Sequence, residues 1–216
     1  MPDILDGEFA YKTYKKILET LKASFELHYL IREIPQILSQ IHQPKVILRH
    51  DVTDYLEKAL TMAEIEHGLS IRTTYMITIN SSSFNINDTS SLNIISRINR
   101  MGHEVGFCLN NSQLEKSDIS EVERMIQTKS AILEKQVKFP IFSVSLLNPI
   151  SKTPPKSLFL GKKINASCYL MMKWSISDKK MPWKAEDIIA KSTKPYQALL
   201  QVITRPHLWG TEESEK

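Results

Sequence analysis

The sequence has few glycines, only two cysteines and no long run of apolar residues. Its six glycines among 216 residues form neither G-x-G-x-x-G nor G-x-x-x-x-G-K-[ST], and loops that cradle phosphate need closely spaced glycines so that the backbone can reach the ligand. Cys108 and Cys168 lie far apart and complete no metal motif or disulfide framework. These absences argue against nucleotide-binding loops, cysteine-based metal modules and a disulfide scaffold.

Membrane and targeting signals are also missing. No stretch approaches the roughly 18 apolar residues that cross a bilayer, and the first residues, Met1–Lys12, lack the apolar run of a secretory signal. Hydrophobic residues make up 42% of the chain and charged residues 24%, which is ordinary for a globular protein. We therefore expect one cytoplasmic domain, or two at most, without a membrane span.

The charge balance is only mildly basic. The chain has 28 Lys and Arg residues against 24 acidic ones, for a net charge of +4. Its basic pairs, Lys15-Lys16, Lys162-Lys163 and Lys179-Lys180, are not interleaved with aromatic residues. That pattern is typical of solvated faces, so we expect no nucleic-acid partner.

Helical and strand-like segments alternate along the chain. Apolar residues recur every three or four positions in the helical segments, whereas the strands are short apolar runs rich in β-branched residues. The predicted helices lie within 8–40 and at Asp54–Gly68, Ser90–Met101, Asp118–Lys135 and Pro182–Lys191. We expect Gly68 to end its helix as a left-handed cap, and Gly102 closes the helix before it. The predicted strands are Val46–Leu48, Ile71–Ile79, Glu104–Leu109, Ile141–Leu147 and Ala198–Thr204, with Ile164–Ala166 and Tyr169–Met172 as weaker ones.

This alternation predicts an α/β fold with a parallel sheet. Six or seven strands favour a closed or partly closed β/α barrel, and an open doubly wound sheet is the second choice. We divide the chain into an N-terminal helical segment packed on the barrel (1–45), the barrel itself (46–210) and a polar, disordered tail (211–216).

Polar residues stand at the end of the first strand, where β/α folds gather ligands. Because strand side chains alternate, Arg49, Asp51 and Thr53 share one face and His50 takes the other. Asp51 is a candidate base or metal ligand, or else it forms an ion pair with Arg49 that fills the barrel. Thr53 also suits the N-cap of the next helix. Cys108, without a basic neighbour in sequence, is better explained as a small buried hydrophobe than as a nucleophile.

Five segments in order along the chain resemble the polysaccharide deacetylase (NodB-homology) family, carbohydrate esterase family four. The segment V-I-L-R-H-D-V-T resembles the branch whose first motif reads R-H-D-V-D, and R-I-N-R-M-G-H-E-V-G-F-C-L-N-N-S resembles the G-H-E-I-G-x-H motif. F-S-V-S-L-L-N-P is similar to S-F-H-x-P, S-I-S-D-K-K-M-P-W to a segment with matching Asp and Trp, and L-L-Q-V-I-T-R-P-H-L-W to L-x-x-H-P-x-W-W. The resemblance covers Val46 to Trp209.

The resemblance implies a distorted, TIM-like β/α barrel and, in active members, a metal-bound water that removes an acetyl group from an amino sugar. In such members one Asp and two His hold the metal, a second Asp is the base, and a His of the last strand is the acid. Matched motif by motif, the base is Asp51 and the acid position holds Arg205. The three metal positions hold Thr53, Cys108 and Ser112, and the His of S-F-H-x-P is replaced by Leu147.

These replacements remove the implied metal chemistry. Thr and Ser hydroxyls are poor ligands for a divalent metal, and only an ionised Cys108 would keep affinity. Arg205 adds a fixed positive charge and donates no proton at neutral pH. We therefore expect no cofactor and an Arg205–Asp51 ion pair in place of the metal. The alternative is that His50, Asp51, Cys108 and His103 form a different site for zinc or another divalent metal.

Three functions remain open from the sequence. The first is a non-catalytic protein of surface-glycan biosynthesis that binds an anionic or N-acetylated saccharide, with Arg49, His50, Trp183 and Trp209 as binding residues beside Asp51 and Arg205. Tryptophans offer stacking surfaces for sugars, although core packing also explains them. The second is an active metal-dependent deacetylase or amide hydrolase with unusual ligands. The third is a protein-interaction module that docks through the N-terminal helix around Phe9–Phe25.

Overall fold

The computed structural model describes residues 9–39, 45–79, 81–109, 118–146, 157–167, 175–178, 184–192 and 199–210. The helices are α1 (Tyr11–Ser24), α2 (Ile34–Ser39), α3 (Leu56–Gly68), α4 (Thr89–Arg100), α5 (Ile119–Val137) and α6 (Ala185–Ser192), with 3₁₀ turns at Ile31–Glu33 and Pro206–Leu208. The strands are β1 (Lys45–Val52), β2 (Thr74–Thr78), β3 (Glu104–Leu109), β4 (Ser143–Leu146), β5 (Phe159–Leu160), β6 (Lys163–Asn165), β7 (Ser175–Ser177) and β8 (Leu199–Thr204).

The eight strands form one sheet in the order β5-β6-β4-β3-β2-β1-β8-β7. Every neighbouring pair is parallel except β5 and β6, which form an antiparallel hairpin. The sheet curls into a half-barrel with helices around it, and within the described residues β5 and β7 remain its two edges. The distorted β/α barrel is confirmed in its partly closed form, and the open doubly wound alternative is not adopted.

Local sequence signals explain most element ends. Asp118 is the N-cap of α5, where its carboxylate accepts a hydrogen bond from the Glu121 amide at 2.8 Å. Gly102 follows α4 with φ +94°, a backbone shape that glycine adopts without steric cost. The left-handed cap predicted at Gly68 is wrong, because Gly68 is the last helical residue of α3 and Ser70 takes the positive φ of 57°.

Strands β1, β5 and β7 differ most from the sequence prediction, and β5 was not predicted. β1 continues past Leu48 through Arg49, His50 and Asp51, because each of these polar side chains finds a buried partner. β7 was not predicted, since a three-residue Ser-Ile-Ser run carries no periodic signal and is held by pairing with β8. The predicted strand Tyr169–Met172 lies outside the described residues.

The two faces of the sheet have different neighbours. The outer face is mostly apolar and packs against the long helices in two clusters, one centred on β2, β3 and β4 and one on β1 and β8. On the inner face Ile47, Met76 and Cys108 pack against Ile31 and Ile34 of the segment before β1. The N-terminal segment therefore covers part of the inside of the half-barrel, and polar side chains of the strands remain beside it.

Candidate functional site

An ion pair between Arg49 and Asp51 lies on the inner face of β1. Arg49 Nε donates to Asp51 Oδ1 at 2.7 Å, and the two residues are 3% and 6% exposed. The other guanidinium nitrogens donate to the backbone oxygen of Ala166, at 3.0 Å, and to Ser145 Oγ. Both residues of this pair are therefore committed to each other, which is the second of the two roles open for Asp51.

Arg205 has a different partner from the one expected. Its Nη1 lies 3.2 Å from Asp178 Oδ1 and donates to Ser177 Oγ at 2.7 Å, while its backbone N–H donates to Asp178 Oδ2 at 2.9 Å. The predicted ion pair between Arg205 and Asp51 is therefore wrong. Two different cations stand beside two different carboxylates, because β7 places Asp178 next to the end of β8 and Arg49 already occupies Asp51.

Asp178 is also the partner of Trp209. The indole Nε1 donates to Asp178 Oδ2 at 2.8 Å, and the ring packs edge-to-face against Phe9 and Tyr14. Burial raises the pKa of Asp178, although Arg205 and Trp209 oppose that shift. Trp209 is fully buried, which corrects its expected role as a sugar-stacking surface, because no face of the indole is accessible to a ligand.

Cys108 lies on the same inner face, in register with Thr78 on β2 and Ser145 on β4. Burial raises the pKa of its thiol, and the negative charge of Asp51 raises it further. The thiol contacts the backbone oxygen of Met76 at 3.8 Å. A neutral, buried thiol has the character of a small hydrophobe, and metal ions bind the thiolate form.

Thr53 does not cap the helix that follows it. The N-cap position of α3 is Tyr55, and the hydroxyl of Thr53 instead lies 3.3 Å from Nδ1 of His207. Burial lowers the pKa of His207, so its ring is neutral at pH 7. His207 is a residue that the sequence analysis missed, although its position beside the R-P-H-L-W match was a usable signal.

His50 and His103 belong to a separate network on the outer face. His50 Nε2 lies 2.7 Å from Glu66 Oε1, and Tyr75 donates to Glu66 Oε2 at 2.7 Å. Tyr14 and Thr73 also donate to this carboxylate, and His103 lies 3.7 Å from it. Burial favours the neutral acid, but the two histidines and these donors lower the pKa of Glu66 to about 2.

This network changes two expectations. His50 is fully buried and pairs with Glu66, so it presents no atom to a ligand at the barrel mouth. The alternative metal site is not assembled, because His50 and His103 lie on the outer face while Asp51 and Cys108 lie on the inner one. Among the residues that the structure describes, no three His, Cys, Asp or Glu side chains form a group that could hold a metal ion.

Three expected site residues, Ser112, Leu147 and Trp183, lie outside the described residues. The described part of the mouth includes the ends of β1, β7 and β8 and the start of α3. In the described ranges, no helix is long and apolar enough to cross a membrane.

Comparison with solved structures identifies the fold. The chain matches the chitin deacetylase of Colletotrichum lindemuthianum with a TM-score of 0.51 and 14% identity, over 82% of this chain and 79% of that one. It matches the Streptococcus pyogenes deacetylase PplD, solved with acetate, with a TM-score of 0.53 and 12% identity, over 85% and 87%. A CE4 family pseudoenzyme from Bacillus anthracis matches at 0.48 and 12% identity, over 77% of this chain and 56% of that chain.

These matches define the class of fold. The chain has a distorted β/α barrel similar to that of the chitin deacetylase and of PplD. It spans little more than half the length of the pseudoenzyme. No protein-family model and no curated protein matches the sequence, so the likeness is one of structure.

Proposed function

We propose that the chain is a non-catalytic relative of the polysaccharide deacetylases, of the branch with an R-H-D-V-D first motif, that binds an anionic or N-acetylated saccharide. The observation that supports it is the buried Arg49–Asp51 ion pair. Asp51 Oδ1 accepts a charge-assisted hydrogen bond at 2.7 Å from a guanidinium that cannot be deprotonated, so the charge of this carboxylate is balanced without a metal. A permanent cation thus takes the place of the metal beside this carboxylate.

The other altered positions support the same proposal. Cys108 is a protonated thiol, Thr53 offers a hydroxyl to His207, and Arg205 is engaged by Asp178. None of these groups is a strong ligand for a divalent metal in the state described. We propose that the protein acts in the cytoplasm, in surface-glycan biosynthesis, and that it carries no metal cofactor.

The deacetylase test compares the natural chain with a rebuilt one. We expect no release of acetate from chitotetraose by the natural chain, with or without added zinc, and well under one equivalent of metal by elemental analysis. The matched variant carries Thr53→Asp, Cys108→His, Ser112→His and Arg205→His together, which restores the ligand positions of the family. We expect metal binding only in that variant. Acetate release or stoichiometric zinc in the natural chain would establish an active metal-dependent hydrolase instead.

The saccharide test measures binding directly. Chitotetraose supplies N-acetyl groups without charge, and a hyaluronan tetrasaccharide supplies both N-acetyl groups and carboxylates. Calorimetric titration of the natural chain should show binding of one or both in the millimolar range or tighter. Absence of heat and of NMR shift changes with both probes would contradict saccharide binding.

The apolar face of the N-terminal helix, which the interaction-module alternative requires at the surface, is buried in the structure. The apolar residues Tyr14, Leu18 and Leu21 of α1 are fully buried against the barrel, together with Phe9 and Trp209. A docking helix would have to present such side chains to a partner, and here they fill the core. We therefore retain saccharide binding as the function and do not assign the N-terminal helix to a partner.

A further inference from the structure

The backbone of Tyr55 adopts an unusual conformation between β1 and α3. Tyr55 has φ 50° and ψ 72°, in the left-handed region. Among the described residues, Ser70 and Lys138 are the other non-glycine residues with positive φ, and both follow the ends of helices, where this conformation is common. Tyr55 instead precedes a helix, where an extended backbone is normal. The side chain of Tyr55 makes no capping hydrogen bond, although its carbonyl accepts from the amides of Lys58 and Ala59 at 3.0 and 3.4 Å.

Packing does not explain the strain either. The side chain of Tyr55 is 58% exposed, more than any other large hydrophobic side chain in the described part of the chain. Strained residues persist where their conformation is required by function or enforced by surrounding contacts. A mostly exposed ring gains little free energy from burial. Contact with a ligand would give this conformation of Tyr55 a function.

Tyr55 also lies at the end of the sheet where β/α folds bind ligands. It follows Asp51 and Thr53, just beyond the carboxyl end of β1. The ammonium of Lys58 lies 5.8 Å from the centre of the Tyr55 ring and donates to the backbone oxygen of His207 at 3.2 Å. This hydrogen bond connects the start of α3 to the 3₁₀ turn that follows β8. It holds the ammonium close to the Tyr55 ring.

We propose that Tyr55 is a stacking platform for a pyranose ring, with Lys58 next to it to bind a carboxylate of the same saccharide. The inference deepens the proposed function, on which it rests, because it names the residues that contact the saccharide. Aromatic side chains combine an apolar face with a polar tip, which suits the apolar face of a pyranose. Lys58 donates to a backbone carbonyl, and its remaining protons can serve a ligand.

The test uses Tyr55→Gly, because glycine relieves the left-handed strain and removes the ring at the same time. We expect Tyr55→Gly to weaken binding of the hyaluronan tetrasaccharide about tenfold and to raise the melting temperature by about 2–4 °C. Tyr55→Phe keeps the ring and should bind like the natural chain. Lys58→Met should weaken binding of the hyaluronan tetrasaccharide up to about fivefold and leave that of neutral chitotetraose unchanged.

Phe142→Leu is the matched control. Phe142 is also an exposed aromatic residue, at 41%, but it precedes β4 and therefore lies at the amino ends of the parallel strands, opposite Tyr55. We expect this variant to bind both saccharides normally. Equal binding of the saccharides by Tyr55→Gly and by the natural chain would overturn the stacking role of Tyr55 but not the proposed function. A lower melting temperature of Tyr55→Gly would also overturn that role, because Tyr55 would then be a structural residue. Failure of the natural chain to bind either probe would overturn the proposed function and the platform with it.

Discussion

Arg49 and Asp51 carry opposite charges into the interior of the half-barrel, where each depends on the other. Removing only Arg49 leaves a buried carboxylate without its cation, a loss that costs roughly 3–5 kcal/mol at dry sites. We therefore expect Arg49→Met to destabilise the protein strongly and the double variant with Asp51→Asn to be more stable than the sum of the two single effects. Urea unfolding of the four proteins in this cycle measures the coupling. Strictly additive effects would mean that the two residues do not interact.

The partners of individual side chains were the hardest feature to predict from the sequence. The Arg49–Asp51 pair was one of two open alternatives, because alternation along a strand brings residues two apart to the same face. The pairing of Arg205 with Asp178 was not predictable, since it requires β7 to lie beside β8. Trp209 illustrates the same limit, because an aromatic residue near a family motif suits a ligand surface and a core equally well.

Glu66 connects elements rather than single residues. Its carboxylate joins α3 to α1 through Tyr14, to β1 through His50 and to β2 through Tyr75. The sequence held a signal for it, because Glu66 continues the buried stripe of Leu56, Ala59 and Ala63 on α3. A charged residue on a buried helix stripe predicts a buried partner for its charge.

The pKa of Glu66 makes this network sensitive to acid. The folded pKa of about 2 lies below the ordinary value of 4.5, so its contribution to stability is present above about pH 5 and is lost as the pH falls from 4.5 toward 2. The shift corresponds to about 3 kcal/mol. We expect Glu66→Gln to be destabilised at pH 7 and to lose less stability on acidification than the natural chain. The measurement is urea unfolding across pH 3–7, and parallel pH curves for the two proteins would contradict the assignment.

At the scale of the whole molecule, the N-terminal segment is part of the barrel core. Tyr14, Leu18 and Leu21 pack on the outer face, whereas Ile31 and Ile34 cover the inner face. We expect a variant that begins at Lys45 to lose cooperative unfolding and to bind the dye ANS, because both faces of the sheet lose apolar cover. A truncated protein with a sharp thermal transition and no dye binding would show that the barrel folds without this segment.

The overall fold was predictable because its long elements carry strong periodic signals. α3, α4 and α5 present regular apolar stripes, and β3 was predicted with its observed limits, Glu104–Leu109. The shortest strands were harder, because β5 and β7 contain two and three residues and depend on their neighbours for hydrogen bonds. Short edge strands are defined by the sheet that they join, and local sequence describes them poorly.

The position of β1 in the sheet has a consequence for synthesis of the chain. β1 lies between β2 and β8, and His50 pairs with Tyr75 on one side and with Thr204 on the other. A ribosome therefore releases β1 long before its second neighbour has been made. Until residues as far as Thr204 emerge, one edge of this buried strand has no partner, and such an edge can pair with other chains. The centre of the sheet is therefore complete only after β8 has been synthesised and has paired with β1.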